Sequence, residues 1–320
     1  MAILLLLVFG QSSHAQQPIV MKFSHVADEM TPKGQMALRF SELIAERLGK
    51  QVVVEVYPEG QLYDDNRVLE AMLLGDVQIA APSVSKFAVY CPGMQVFDLP
   101  FLFKDRDAVT RFEQSAQGRL LLDALNTNGL IGLGYLNDGF KVLSAIKPLV
   151  VPEDAAGLRF RIQPSRVLAE QFNALGAIPI KKPFSQISTS LADKAIDGQE
   201  NTWANIWSRR IFMKQPYITE LHHGIVCFLV VVSADFWHRL DEPIRLEVQR
   251  SLEEAIAFGN ALVEPANRKA RQEIVASHRA EIVTLSEEER SQWKEAMRPV
   301  WRQFEQEMGK ELIETASRSH

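Results

Sequence analysis

Short stretches in which apolar and polar residues alternate are separated along this chain by longer ones in which apolar residues recur every three or four positions. The first rhythm predicts half-buried strands and the second amphipathic helices. Val20–Val26 and Gln51–Tyr57 read as strands, the second ended by Pro58 and Gly60. Between them Thr31-Pro32 starts a helix, a capping residue followed by proline at the first helical position. Met36, Phe40, Leu43 and Ile44 form its apolar stripe as far as Leu48. Asp65–Leu74 reads as a second helix closed by Gly75, and Val77–Ala81 as a third strand. This β-α-β-α-β order implies parallel strands joined by crossover helices. Ligands of such sheets sit at the carboxyl ends of strands. Those ends carry Ser24-His25 and Pro82–Phe87, the latter including Lys86.

Asp107–Leu125 reads as one helix and Leu130–Tyr135 as a strand, with Asn137-Asp-Gly139 as a turn leading into Phe140-Lys141. Leu158–Ile162 alternates strictly: Leu158, Phe160 and Ile162 face one way, Arg159 and Arg161 the other. Two guanidiniums side by side on a rigid strand can grip a carboxylate or phosphate bidentately, or simply face water. Ser165–Leu175 and Phe184–Asp193 read as helices around a short strand, Ile178–Ile180. Asp197–Asn201 closes that unit, Trp203 and Trp207 follow and either narrow a cleft or fill core, and Phe228–Val232 is a buried strand. From Asp241-Glu-Pro243 the residues Ile244, Val248, Leu252, Ile256 and Leu262 mark a helix continuing to Ser277, beyond ordinary globular length. Pro265 is expected to kink it. A helix that long can cross between domains. Ser286-Glu-Glu-Glu289 is a capping box for a last helix, and the final residues are expected to fray.

Composition changes little. The 320 residues are 47% hydrophobic and 23% charged, with room for about two α/β domains. A net charge of -5, with no basic run, argues against a nucleic-acid partner. Any anion site must therefore come from local placement of cations. Met1–Ala15 departs from the globular pattern: Ala2–Gly10 is a continuous apolar run, and Ser13 and Ala15 have the small-residue spacing of a signal-peptidase cut before Gln16. The chain thus reads as exported. Cys91 and Cys227 form no disulfide framework and are expected as free thiols.

Chemistry is sparse. Gly132-Leu-Gly134 lacks the third glycine of a dinucleotide loop, and there is neither a phosphate loop nor a nucleophile elbow. His222-His223 are adjacent and make a poor metal pair. No cofactor and no metal is implied. Lys33 stands in the first turn of its helix, where a cation opposes the dipole. It is either an exposed lysine tolerating that cost or, with the free amides beside it, part of an anion site.

Several motifs occur in one order: Phe23-Ser-His-Val26, Thr31-Pro-Lys-Gly34, Val56-Tyr-Pro58, Leu74-Gly-Asp-Val77, Ala81-Pro-Ser-Val-Ser-Lys-Phe87, Gly139-Phe-Lys141, Gly157-Leu-Arg-Phe-Arg-Ile-Gln163 and Asp197-Gly-Gln-Glu-Asn201. Together they resemble the DctP-type solute-binding proteins of tripartite ATP-independent periplasmic (TRAP) transporters, over nearly the whole mature chain. The resemblance implies an α/β, two-lobed periplasmic-binding-protein (Venus flytrap) fold with a long helix spanning both lobes. On that plan 1–15 is a signal peptide, 17–138 with 227–264 is lobe I, 139–226 with 265–308 is lobe II, and 309–320 is a C-terminal tail. It also implies a carboxylate clamp at Arg161 assisted by Asn201. Lys33, Lys86 and Lys141 would supply further positive charge, and His25 and Ser83 hydrogen bonds. The lysine at 141 resembles the C4-dicarboxylate branch (succinate, malate, fumarate), working in the periplasm as a monomer that hands its organic-acid anion to the small and large permease subunits, without catalysis. A sugar-acid or keto-acid binder, a periplasmic sensor subunit and, least favoured, an exported organic-acid enzyme are the alternatives.

Overall fold

The computed structural model describes residues 17–318, so the leader expected over Met1–Ala15 lies outside the described residues. Two sheets organise the chain. In the first, β1 (Ile19–Ser24) pairs in parallel with β2 (Val52–Tyr57) and β3 (Ile79–Ala80), as the crossover order predicts. This sheet also takes in β4 (Leu130–Phe140) and a late strand, β10 (Ile225–Ser233), antiparallel to both its neighbours, in the order β2-β1-β3-β10-β4. The second sheet contains β5 (Val142–Ala145), β6 (Arg159–Ile162), β7 (Ile178–Lys181), β8 (Gly198–Asn201), β9 (Tyr217–Thr219) and β11 (Glu281–Val283), ordered β11-β9-β5-β8-β6-β7. The chain therefore passes from one sheet to the other between β4 and β5 and returns between β9 and β10.

Both faces of the first sheet are covered, and β10 shows why. Its alternate residues Val230 and Val232 join Phe23, Phe40 and Leu252, whereas Leu229 and Val231 join Phe97 and Phe112. Each such side chain contributes about 1.5–3 kcal/mol by leaving water. The second sheet is covered in the same way, by Phe172 and Trp293 on one side and by Ile187, Ile206 and Ile274 on the other.

The long helix Glu242–Ala276 spans 35 residues and serves both sheets. Val248, Leu252 and Ala255 pack into the core of the first, Ala270 and Ile274 into that of the second. Gly259 lets it approach closely: a Cβ there would lie 2.8 Å from Met36 Cβ and 2.9 Å from Leu136 Cδ1.

Three expectations are corrected. The helix predicted over Asp107–Leu125 is two, Arg106–Gln114 and Ala116–Asp123. Ser115 separates them, its Oγ donating to Phe112 O (2.6 Å) and accepting from Gly118 N (3.1 Å), the local bonding by which serine competes with a continuous helix. Asn137-Asp-Gly139 is no turn; β4 runs through it. The long helix stabilises these polar residues within the strand: Asn137 N donates to Asn260 Oδ1 and Asn267 Nδ2 to Asp138 O, each at 2.8 Å. The terminal stretch expected to fray is helical over Lys310–Ser317, because Ile313 and Ala316 are buried beside Val300, Phe304 and Met308 in the first sheet's core.

Candidate functional site

A cavity between the two sheets is lined from the first by Lys33 and Asp65 and from the second by Lys141, Arg161, Glu200 and Asn201. The cavity-lining cations are held by different means. Arg161, on β6, is 4% exposed and donates Nε to Lys182 O at 3.0 Å. Burial lowers its pKa to about 10 against the pull of Glu200 and Asp65, so it remains a cation at neutral pH. Arg159 shares its strand face but not its task. Asp197 takes it bidentately, Nε to Oδ2 at 2.9 Å and Nη2 to Oδ1 at 2.8 Å, and Lys194 O accepts a third bond. The two-arginine grip read from the alternation thus reduces to one cavity-facing arginine.

Lys141 Nζ lies 2.9 Å from Glu200 Oε1, and His223 Nε2 lies 2.7 Å from the other carboxylate oxygen. Burial pushes the Glu200 acid up, but Lys141 and His223 outweigh it and hold the pKa at about 2. His223 is pushed below its ordinary value by burial, despite Glu200. A neutral imidazole bonded to a carboxylate through Nε2 carries its proton there.

Lys33 is not exposed. Its helix is capped by the Thr31 side chain, which takes the Gly34 amide, and the lysine turns inward. Nζ donates to Ala81 O at 3.0 Å and stands 3.4 Å from the centroid of the Phe228 ring. Burial lowers its pKa, opposed by Asp65 and Asp138. Asn201 is fixed by its own network, Oδ1 accepting from Thr202 N (3.0 Å) and Asn205 Nδ2 (2.9 Å).

The remaining predicted residues, His25, Ser83 and Lys86, do not line the cavity. His25 is buried, and burial together with Lys33 depresses it to about 3. Ser83 Oγ is 3.3 Å from Ser85 Oγ. Lys86 Nζ is buried without a hydrogen-bond partner, and burial lowers its pKa to about 8. Trp203 packs into the second sheet's core, and Trp207 stacks on Phe212 at 5.5 Å. Cys91 and Cys227 are unpaired. Among the described residues no group of His, Cys, Asp and Glu is placed to hold a metal ion.

Sequence reasoning passed over Asp65, Glu200, Gln163 and Asn205, all on the cavity wall. The only available signal was indirect: buried cations demand nearby carboxylates.

The model of the DctP family, bacterial extracellular solute-binding protein family 7, matches residues 23–307. The chain belongs to the DctP family. The C4-dicarboxylate-binding periplasmic protein DctP of Shewanella loihica is 52% identical over 303 residues, 95% of this chain and 90% of that protein. Its counterpart in Vibrio cholerae is 43% identical over 299 residues, 93% of this chain and 90% of that protein. A crystal structure of a TRAP periplasmic solute-binding protein from Shewanella oneidensis with bound succinate superposes with a TM-score of 0.93 at 49% identity, covering 94% of this chain and 99% of that one. The two sheets and the shared helix are therefore the two lobes and spanning helix of a DctP-family binding protein. The cavity lies between the lobes.

Proposed function

We propose that this DctP-family chain is the periplasmic solute-binding subunit of a TRAP transporter. It captures a C4-dicarboxylate such as succinate, malate or fumarate between its lobes and delivers it to the small and large permease subunits, as a monomer and without catalysis. One observation carries the reading: three cations, Lys33, Lys141 and Arg161, line a single cavity against two lining carboxylates, Asp65 and Glu200, an excess of one positive charge. Lys33 comes from the first lobe and Arg161 from the second, so a dianion bridging them makes contacts available only when the lobes meet. Arg161 is the carboxylate clamp, Asn201 its neighbour, and Lys33 the cation for the far carboxylate. His25, Ser83 and Lys86, expected as ligand contacts, do not line the cavity and act on the ligand through the residues that do. Lobe I is 17–138 with 227–264 and lobe II is 139–226 with 265–308, except that we assign 299–308 to lobe I because Val300, Phe304 and Met308 pack into the first sheet's core.

A thermal-shift series with mono- and dicarboxylates, sugar acids and neutral sugars tests this. A ligand at about 1,000 times its dissociation constant adds about 4 kcal/mol, a shift of several degrees for a chain of this size. A C4-dicarboxylate shift abolished in Arg161→Ala and reduced in Arg161→Lys is the expected outcome, because a point charge does not reproduce the bidentate fork. A shift only with sugar acids, or one retained in both variants, would overturn the assignment.

A further inference from the structure

Arg209 follows the lobe II helix Trp203–Ser208, yet its side chain ends on lobe I. Nη1 lies 3.2 Å from Glu59 Oε1, and Nη2 donates to Val26 O at 3.1 Å. The guanidinium carbon stands 5.0 Å from the centroid of Phe184, a lobe II ring on the cavity wall. Val26 lines the same cavity, whereas Arg209 and Glu59 do not. The lobe I anchor is firmly built: Glu59 N donates to Ala27 O and Gly60 N to His25 O, tying the loops after β1 and β2 together. A second cross-cleft bond, Gln163 Nε2 to Ser85 Oγ at 2.9 Å, reaches the loop after β3. The Arg209 side chain is 19% exposed and Glu59 48%, so water and salt reach the pair.

Resting on the dicarboxylate reading above, we propose that Arg209 is a closure latch, a positioning residue that slows ligand escape by clamping the loop holding Val26 from the opposite lobe. Its bonds to Glu59 and Val26 join the two lobes and are lost when the lobes part. Its stabilisation is therefore felt by the closed, loaded protein and not by the open one. A partly exposed anchor of this kind is worth about fivefold. Because it acts after encounter, the effect falls on the dissociation rate.

Stopped-flow measurement of succinate association and dissociation, with melting curves of loaded and ligand-free protein, tests the latch. Arg209→Ala is expected to raise the dissociation rate about fivefold, to leave the association rate nearly unchanged and to leave the ligand-free melting temperature in place. Glu59→Gln is expected to raise the dissociation rate less, and to add little in the Arg209→Ala background. Added salt is expected to speed dissociation from the wild type more than from Arg209→Ala. An unchanged dissociation rate would overturn the latch, as would a ligand-free melting temperature falling as far as the loaded one. Failure of the wild type to bind any dicarboxylate would instead remove the functional reading, and the latch with it.

Discussion

Lys141 and Glu200 meet at 2.9 Å with 3% of each side chain exposed, so neither charge has water to fall back on. Removing one partner of such a pair strands the other, at about 3–5 kcal/mol. Glu200→Gln is accordingly expected to lower the free energy of urea unfolding at pH 7 by about 3 kcal/mol. The pH dependence has a definite sign. The acid is held at about 2, below its ordinary 4.5, so the unfolded chain binds this proton more readily than the folded one. Its stabilisation is complete above about 4.5 and is lost as pH falls towards 2. The deficit of the variant should therefore shrink between those values, and an equal deficit at pH 7 and pH 3 would show that the carboxylate is not held this way. The partners are 59 residues apart, which is why the lysine was legible in the sequence and its counter-charge was not. Arg159 and Arg161 make the same point. Strand alternation set both on one face, but only the approach of Asp197, 38 residues away, decides which one is already occupied.

At the scale of elements, repeating patterns were readable and exceptions set by neighbours were not. The long helix was visible because its apolar residues recur regularly for many turns, and the parallel strands because helices separate them. The break at Ser115 depends on a side chain choosing the backbone of the preceding turn. The passage of β4 through Asn137-Asp-Gly139 depends on Asn260 and Asn267, two asparagines more than 120 residues away that carry its polar load. Gly259 is another long-range case. Alanine at this position gains about 1 kcal/mol of helix propensity, but its Cβ would be driven against Met36 and Leu136, and forced overpacking costs about 1–3 kcal/mol. Because backbone-borne Met36 Cβ is among the atoms struck, the second effect is expected to win. Gly259→Ala should lower the urea midpoint; a raised midpoint would mean that the two helices separate easily.

For the whole molecule, the two lobes are joined by the passage from β4 to β5, the return from β9 to β10, the long helix, and the step from Met297 in the second core to Val300 in the first. Gly139, with φ of +108°, lies just before the first passage, where a side chain would be strained and would meet Asn267 Nδ2 at 2.9 Å. Relative movement of the lobes has to be absorbed at these connections while the two cores move as units, because cores this closely packed do not deform continuously. Lys33 and Arg161 belong to opposite lobes and share one cavity with two carboxylates and a surplus positive charge. A dianion offsets that surplus with one negative charge to spare, and it favours the closed state by the difference in its affinity for the two arrangements. Small-angle scattering should record a smaller radius of gyration on saturation with succinate, and no change with a neutral sugar. Arg161→Ala at the same succinate concentration should keep the larger radius, because the second lobe has lost the guanidinium proposed to clamp a carboxylate. A radius that does not respond to succinate in a wild-type protein that binds it would mean that binding and closure are not linked, and the charge surplus would then serve affinity alone.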